Sequence, residues 1–332
     1  MAPARLVGVV LGVALLLMLP VKAAAQPELQ MWLNPEMGKQ MPRGDYRGTF
    51  YPERRVDHQD TTLTMTEHRF TLIAPLFQNS TDEFAVSGRV AYQDIVTHAV
   101  FPESGEDFPR HLWDIWASVS YRHKFDNGWI GGVAVQGGTA TDEPFESLDD
   151  VYVRFLALLR IPQGERNAWI LTVLYASDQQ YFGVKNIPMP GLAFLWNPSD
   201  KFRAVVGVPF SSIEYKPFET LTLEAQYFPF WTIRTFATWE IFRPLRAYIG
   251  FDWDNDHWYL HGRGDKDDKL YYYEKRATIG ARFDLRHVGI EVFGGYAFGR
   301  FYFEGEGYSD RTENRVGVES APFIAGRLHV RF

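Results

Sequence analysis

Ile324-Ala325-Gly326-Arg327-Leu328-His329-Val330-Arg331-Phe332 closes the 332-residue chain. Ile324, Gly326, Leu328, Val330 and Phe332 take every second position, and Ala325, Arg327, His329 and Arg331 stand between them. Successive side chains of a strand point to opposite faces, so this segment reads as a strand with one apolar face and one basic, polar face. Chain ends tend to be frayed and polar. An amphipathic strand there needs an apolar medium to receive its face.

At the other end, Arg5 precedes an apolar run over 6–19, then Pro20 and the triplet Ala23, Ala24, Ala25 before Gln26. A charged n-region, a short apolar h-region and an Ala-x-Ala site at Ala23 and Ala25 describe a cleavable secretory signal. The run is shorter than the ~20 residues a spanning helix needs. Residues 1–25 are therefore expected to be removed on export through the inner membrane. With no cysteine in the chain, lipid attachment at the cleavage site, a disulfide framework and thiolate metal or nucleophile chemistry are all closed.

Taking Arg5 and Lys22 out of the 34 basic residues leaves the 41 acidic ones in excess by nine, which argues against a nucleic-acid partner. Aromatic content is high at 16%, yet mean hydropathy is that of a water-soluble protein at −0.23. A barrel in a membrane reconciles the two, because lipid-facing and lumen-facing residues alternate and the average cancels.

Period-2 segments recur along the chain. Phe84, Val86, Gly88, Val90 and Tyr92 alternate with Ala85, Ser87, Arg89, Ala91 and Gln93; Trp113, Ile115, Ala117, Val119 and Tyr121 alternate with Asp114, Trp116, Ser118, Ser120 and Arg122. Further segments fall at 63–74, 129–137, 151–161, 169–177, 192–196, 202–210, 221–227, 233–241, 247–253, 271–283 and 288–298. Most match the ~9–11 residues a tilted strand needs to cross hydrocarbon. Helical periodicity of comparable strength is absent. Short links rich in turn residues, such as Asp126-Asn127-Gly128 and Pro162-Gln163-Gly164, alternate with long polar links at 98–110, 138–149, 178–190, 255–269 and 302–314. Brief turns at one end and extended loops at the other are what a transmembrane barrel shows.

The expected fold is all-β, an antiparallel transmembrane β-barrel of about fourteen strands within a range of twelve to sixteen, spanning 61–332. Parity of the links conflicts with fourteen. A short extra strand within 209–217 and a crossing within 44–56 would restore it at sixteen. Residues 26–60, interrupted by Pro35, Pro42 and Pro52, read as a polar periplasmic leader or a lumen plug.

The terminal strand closing on Phe332 resembles the assembly signature of Gram-negative outer-membrane β-barrels. From about Thr61 onward the chain is similar to outer-membrane barrels of uncharacterised, unknown-function families, and more loosely to porin-like barrels associated with aromatic-compound uptake. The resemblance implies an outer-membrane location, contact with outer-membrane lipids and lipopolysaccharide, and recognition by the barrel-assembly machinery through Ile324, Leu328, Val330 and Phe332. It carries over no catalytic or cofactor-binding residue and says nothing of oligomeric state.

Alternation places Arg89, Asp114, Arg122, Arg154, Arg160, Arg203, Glu224, Arg234, Glu240, Arg276, Arg282 and Glu291 on the inner face. These charges either line a water-filled, porin-like channel for small solutes, whose arginines would favour anions, or pair across a filled interior in a plugged structural or adhesion barrel. A third reading, a lipid-modifying barrel enzyme, would need His329 within reach of Ser118 or Ser120, and no catalytic motif supports it. No enzyme activity and no cofactor are expected. The acidic stretch Asp252, Asp254, Asp256, His257, His261, Asp265, Asp267, Asp268 imitates a calcium loop, but His257 stands where that motif needs Gly and Arg263 where it needs an acid. It reads as a solvated surface loop without metal.

Replacing Leu328 and Val330 together with Asp, or deleting Phe332, is expected to leave the protein in the periplasm, since each lipid-facing charge costs on the order of 2 kcal/mol. Cell fractionation with a heat-modifiable gel shift checks this. Normal membrane recovery of both variants would contradict it.

Overall fold

The computed structural model describes residues 33–181, 184–228, 232–263 and 268–332. The expected signal, with Ala23 and Ala25, lies outside the described residues, as do Asp265 and Asp267. Eight strands run from β1 (Arg43–Arg55) through β2 (Thr62–Gln78), β3 (Asp82–Thr97), β4 (His111–Lys124), β5 (Ile130–Thr141), β6 (Val151–Gln163) and β7 (Asn167–Ala176) to β8 (Met189–Ser199). Eight more follow: β9 (Phe202–Val208), β10 (Ser211–Phe218), β11 (Leu221–Phe228), β12 (Thr232–Phe242), β13 (Leu245–Tyr259), β14 (Lys269–Asp284), β15 (Val288–Gly305) and β16. The last runs in two pieces, Arg315–Val318 and Ala321–Arg331, both paired with β15.

Each strand pairs antiparallel with its chain neighbour, and β1 pairs with both β2 and β16, so the sheet closes. Closure is what hydrocarbon demands, because no water is there to satisfy an open edge. Alternating residues such as Phe70, Val119, Val133, Leu192, Ile249, Ile279, Val292 and Ile324 stay exposed on the outer surface, forming an apolar belt. Among the described residues no helix is long and apolar enough to cross a membrane. The chain is a sixteen-strand transmembrane β-barrel of the outer-membrane class.

Sixteen rather than fourteen strands removes the parity conflict. Ser211–Phe218 is a separate strand, and Arg43–Arg55 is the first barrel strand, so the barrel begins at Arg43 and not at Thr61. The tight turns at 79–81, 125–129, 164–166, 200–201, 219–220, 243–244 and 285–287 now lie at the end where β1 starts and β16 finishes, the periplasmic end for this class. The long links lie at the other, together with the two-residue link 209–210 between β9 and β10. The acidic stretch is also corrected: Asp252, Asp254, Asp256 and His257 belong to β13, so the first three repeat at period two because they face inward. One device keeps the alternation consistent further on. Gly299, with φ +60°, inserts a bulge in β15 and turns Arg300 and Tyr302 to the face already used by Glu291 and Phe293.

Two asymmetries shape the lumen. The wall is uneven, since β9, β10 and β11 have 7, 8 and 8 residues while β14 and β15 have 16 and 18. In addition, Tyr259 at the extracellular end of β13 pairs in parallel with Thr141 of β5. These strands are eight places apart either way round a sixteen-strand ring, where a round barrel would hold them about 30 Å apart. The extracellular end is pinched into two lobes.

Thr141→Cys with Tyr259→Cys, in a chain that has no other cysteine, should form a disulfide on mild oxidation and speed the unheated band on a gel. A correctly folded double variant that never cross-links would refute the pinch.

Candidate functional site

The first lobe lies between β13–β16 and β1–β5. Nine strands enclose little more than their own side chains, and here they enclose a buried cluster that includes Tyr51, Met65, Leu112, Trp116, Trp258, Tyr302 and Phe323. Charge fills what remains. Arg69 lies 2.8 Å from Glu67 and 3.9 Å from Asp256 across the lumen; Arg276 lies 2.8 Å from Asp254 and 3.3 Å from Glu274. Arg47 approaches Glu67 at 3.8 Å, Arg300 approaches Glu274 at 3.6 Å, and Arg89 approaches Asp114 at 3.6 Å. Arg234 joins from β12, 3.5 Å from Asp252 and 3.0 Å from Asp254, and the Tyr51 hydroxyl donates to Glu274 at 2.8 Å. Six arginines meet six carboxylates. Such a network balances charge within the lobe, while Arg300 Nη1 and Nη2 make no hydrogen bond in it.

The second lobe lies between β5 and β13 on the low-walled side. Its roof is Asp178, in the loop after β7, which accepts from Arg154 Nε at 3.1 Å, meets His257 Nε2 at 3.3 Å and gives its carbonyl to Lys269 Nζ at 2.6 Å. Beneath the roof is an apolar cavity lined by Leu156, Ile170, Leu174, Val205, Phe210 and Phe228, with Thr172 the polar side chain on its wall. Toward the periplasm the lobe turns polar and wet. Glu214 and Lys216 pair at 2.6 Å with side chains 38% and 42% exposed, and Arg203 of β9 lies opposite Glu214.

A strap ahead of β1 is anchored on β2, β3 and β4 at the periplasmic end and reaches the second lobe at Leu33. Gln40 and Gln78 exchange hydrogen bonds, Gln40 N to Gln78 Oε1 at 2.9 Å and Gln78 Nε2 to Gln40 O at 2.9 Å. Gly38 N donates to Glu83 Oε1 at 2.6 Å and Gln40 Nε2 to Glu83 Oε2 at 2.7 Å. Arg122 grips the same Glu83 and reaches the carbonyl of Asn34 at 3.1 Å. Leu33, 3% exposed, then forms part of the wall of the apolar cavity. Gly38, at φ +75°, lets the strap turn within 2.7 Å of the Asn79 carbonyl measured from where a Cβ would stand, so no larger residue fits.

The structure does not gather the twelve expected lumen residues into one site. Arg89, Asp114 and Arg276 join the first-lobe network, which Arg234 extends from β12; Arg122 holds the strap; Arg154 holds the roof. Arg160, Arg203 and Glu224 lie in the second lobe. Glu240 and Arg282 sit at the periplasmic rim beside Arg246 and Asp284, and Glu291 accepts from the Tyr248 hydroxyl. His329 contacts Arg282 Nη2 at 2.8 Å and Asp284 at 3.0 Å. Ser118 and Ser120 on β4 are four strand spacings away, about 19 Å, so no base reaches a nucleophile there. No group among the described residues could hold a metal ion. Glu83 and Leu33 escape the sequence reading: Glu83 is the second residue of β3, one place before the visible alternation begins, and Leu33 lies in a stretch without period.

No family model matches the chain, and no curated protein does. Solved structures do align with it. An outer membrane channel from Pseudomonas putida F1 aligns over 88% of this chain and 95% of its own at 11% identity and TM-score 0.38. A porin mutant from Rh. blastica aligns over 88% and 99% at 12% and 0.38, and the β domain of the Bordetella autotransporter BrkA over 87% and 99% at 9% and 0.33.

Arg122→Met should destabilise the barrel by about 3–5 kcal/mol, because it strands a buried Glu83 carboxylate. Pairing it with Glu83→Gln should restore much of that loss. Urea titrations in lipid measure both, and an unchanged midpoint for Arg122→Met would contradict the assignment.

Proposed function

We propose that the protein is a non-enzymatic conduit for small solutes, closed at rest, whose path runs through the second lobe and whose plug is its own strap. The first lobe offers no path, being filled and charge-balanced. The second holds a wet vestibule below and an apolar cavity above, and residues 33–42 run from the β2–β4 rim to the cavity wall, where no disulfide fixes them.

The observation that carries this reading is Leu33 on the cavity wall with Gly38 and Gln40 held on Glu83. A short polar segment held by a few hydrogen bonds is the kind of element that leaves at modest cost, each bond contributing about 1 kcal/mol net. The upper cavity suits solutes with an apolar body, and Arg203, Lys216, Glu214 and Glu224 give the vestibule both signs of charge. That mixture does not favour anions in the way the arginines alone suggest.

In planar bilayers the full mature protein should be silent or nearly so, and a variant lacking residues 26–41 should conduct. A strap-deleted barrel that is folded and still silent would overturn the conduit in favour of a structural barrel.

A further inference from the structure

We propose that the outer surface of β14–β16 carries a binding site for the phosphorylated glycolipid of the outer leaflet, with Lys275, Arg311 and Arg315 as its phosphate ligands. Alternation turns Leu270, Tyr272, Glu274 and Arg276 of β14 inward, so Tyr273 and Lys275 belong to the outward row. Beyond the Gly299 bulge, Phe301 joins that row on β15, and Arg315 follows on β16.

The cations gather around rings. Tyr273 and Phe301 stack with centroids 4.6 Å apart, and Tyr273 and Tyr308 with centroids 6.3 Å apart. Lys275 Nζ lies 5.5 Å from the Tyr273 centroid, Arg311 Cζ lies 5.0 Å from that of Tyr308, and Arg315 Cζ lies 3.8 Å from that of Phe301. Cation–π contact orients these groups without neutralising them. Among the described residues none of the three makes an ion pair with a carboxylate, unlike the arginines of the interior. Of the nearby acids, Asp310 is engaged by Gly307 N–H and the Ser309 hydroxyl, each at 3.0 Å. Glu306 and Glu313 are exposed and form no ion pair with the three cations.

Position names the ligand. Lys275 stands nine residues above Asp284 on β14, roughly 23 Å up a strand tilted at ~40°, close to where a ~25 Å apolar band ends. Below it the outward surface is apolar, with Ile279, Val292, Tyr296 and Ile324 all exposed. A molecule that fits has acyl chains for that lower surface and phosphates for the cations, which stand over rings that are themselves buried, Tyr273 at 9% and Phe301 at 6% exposed. Lipopolysaccharide has both. Multidentate Arg–phosphate hydrogen bonding is among the stronger polar interactions available at an interface.

The test uses the purified mature barrel in detergent and two probes, diphosphoryl lipid A and the same lipid with its phosphates removed, with bound lipid counted by native mass spectrometry. Wild type should prefer the phosphorylated form at least tenfold, and Lys275→Gln/Arg311→Gln/Arg315→Gln should lose that preference while keeping its heat-modifiable shift. Equal binding of the two lipids by wild type would overturn the site, whatever the variant does. An undiminished preference in the folded triple variant would place the phosphates elsewhere and overturn it as well.

Discussion

The contact between Tyr259 and Thr141 joins two strands that an even ring of sixteen would keep on opposite sides. The rest of the interior depends on that inward fold of the wall. With it, one half of the barrel becomes a nine-strand tube narrow enough for side chains to fill. Without it, the same residues would line a wide aqueous lumen, and the six arginines and six carboxylates would face water instead of each other. The Arg69–Asp256 approach across the lumen is the electrostatic side of the same constraint.

Charge inside the first lobe explains closure more than stability. Buried ion pairs recover their desolvation cost only when their geometry is good and their other lone pairs are met, so this network is not an argument for a hyperstable barrel. It does make each member hard to remove singly. The second lobe is built on the opposite logic, with an apolar upper cavity, a short wall at β9–β11 and a strap held by few bonds. Strength is concentrated where the barrel must stay shut, and weakness where a segment can leave.

Much of the architecture was legible in the sequence. Alternation around Val90, Val119 and Leu328 located strands and told inner from outer residues, because a lipid face and a wet or filled interior impose opposite polarities at a fixed period of two. Strand number was harder. The strands at 202–208 and 211–218 are too short to show a period of their own and are joined at Val208-Pro209-Phe210, which reads as one apolar run. Arg43–Arg55 is hidden for a different reason: two prolines and several charges lie in or beside it, and its inward row of Asp45, Arg47, Thr49 and Tyr51 is polar because it faces the ion network. The Asp252, Asp254, Asp256 triplet imitated a cation loop for that reason too. What could not be read was which charges meet, since Arg69 and Asp256 are 187 positions apart and nothing local records the pinch.

The most direct measurement is the distance between spin labels at Glu143→Cys and His261→Cys, read by pulsed electron resonance with the mature barrel in bilayers. The two side chains approach to 3.9 Å beside the β5–β13 contact, so the account predicts a narrow distribution below about 20 Å once label length is allowed for. A population centred near or beyond the ~30 Å diameter of an open sixteen-strand ring would contradict it.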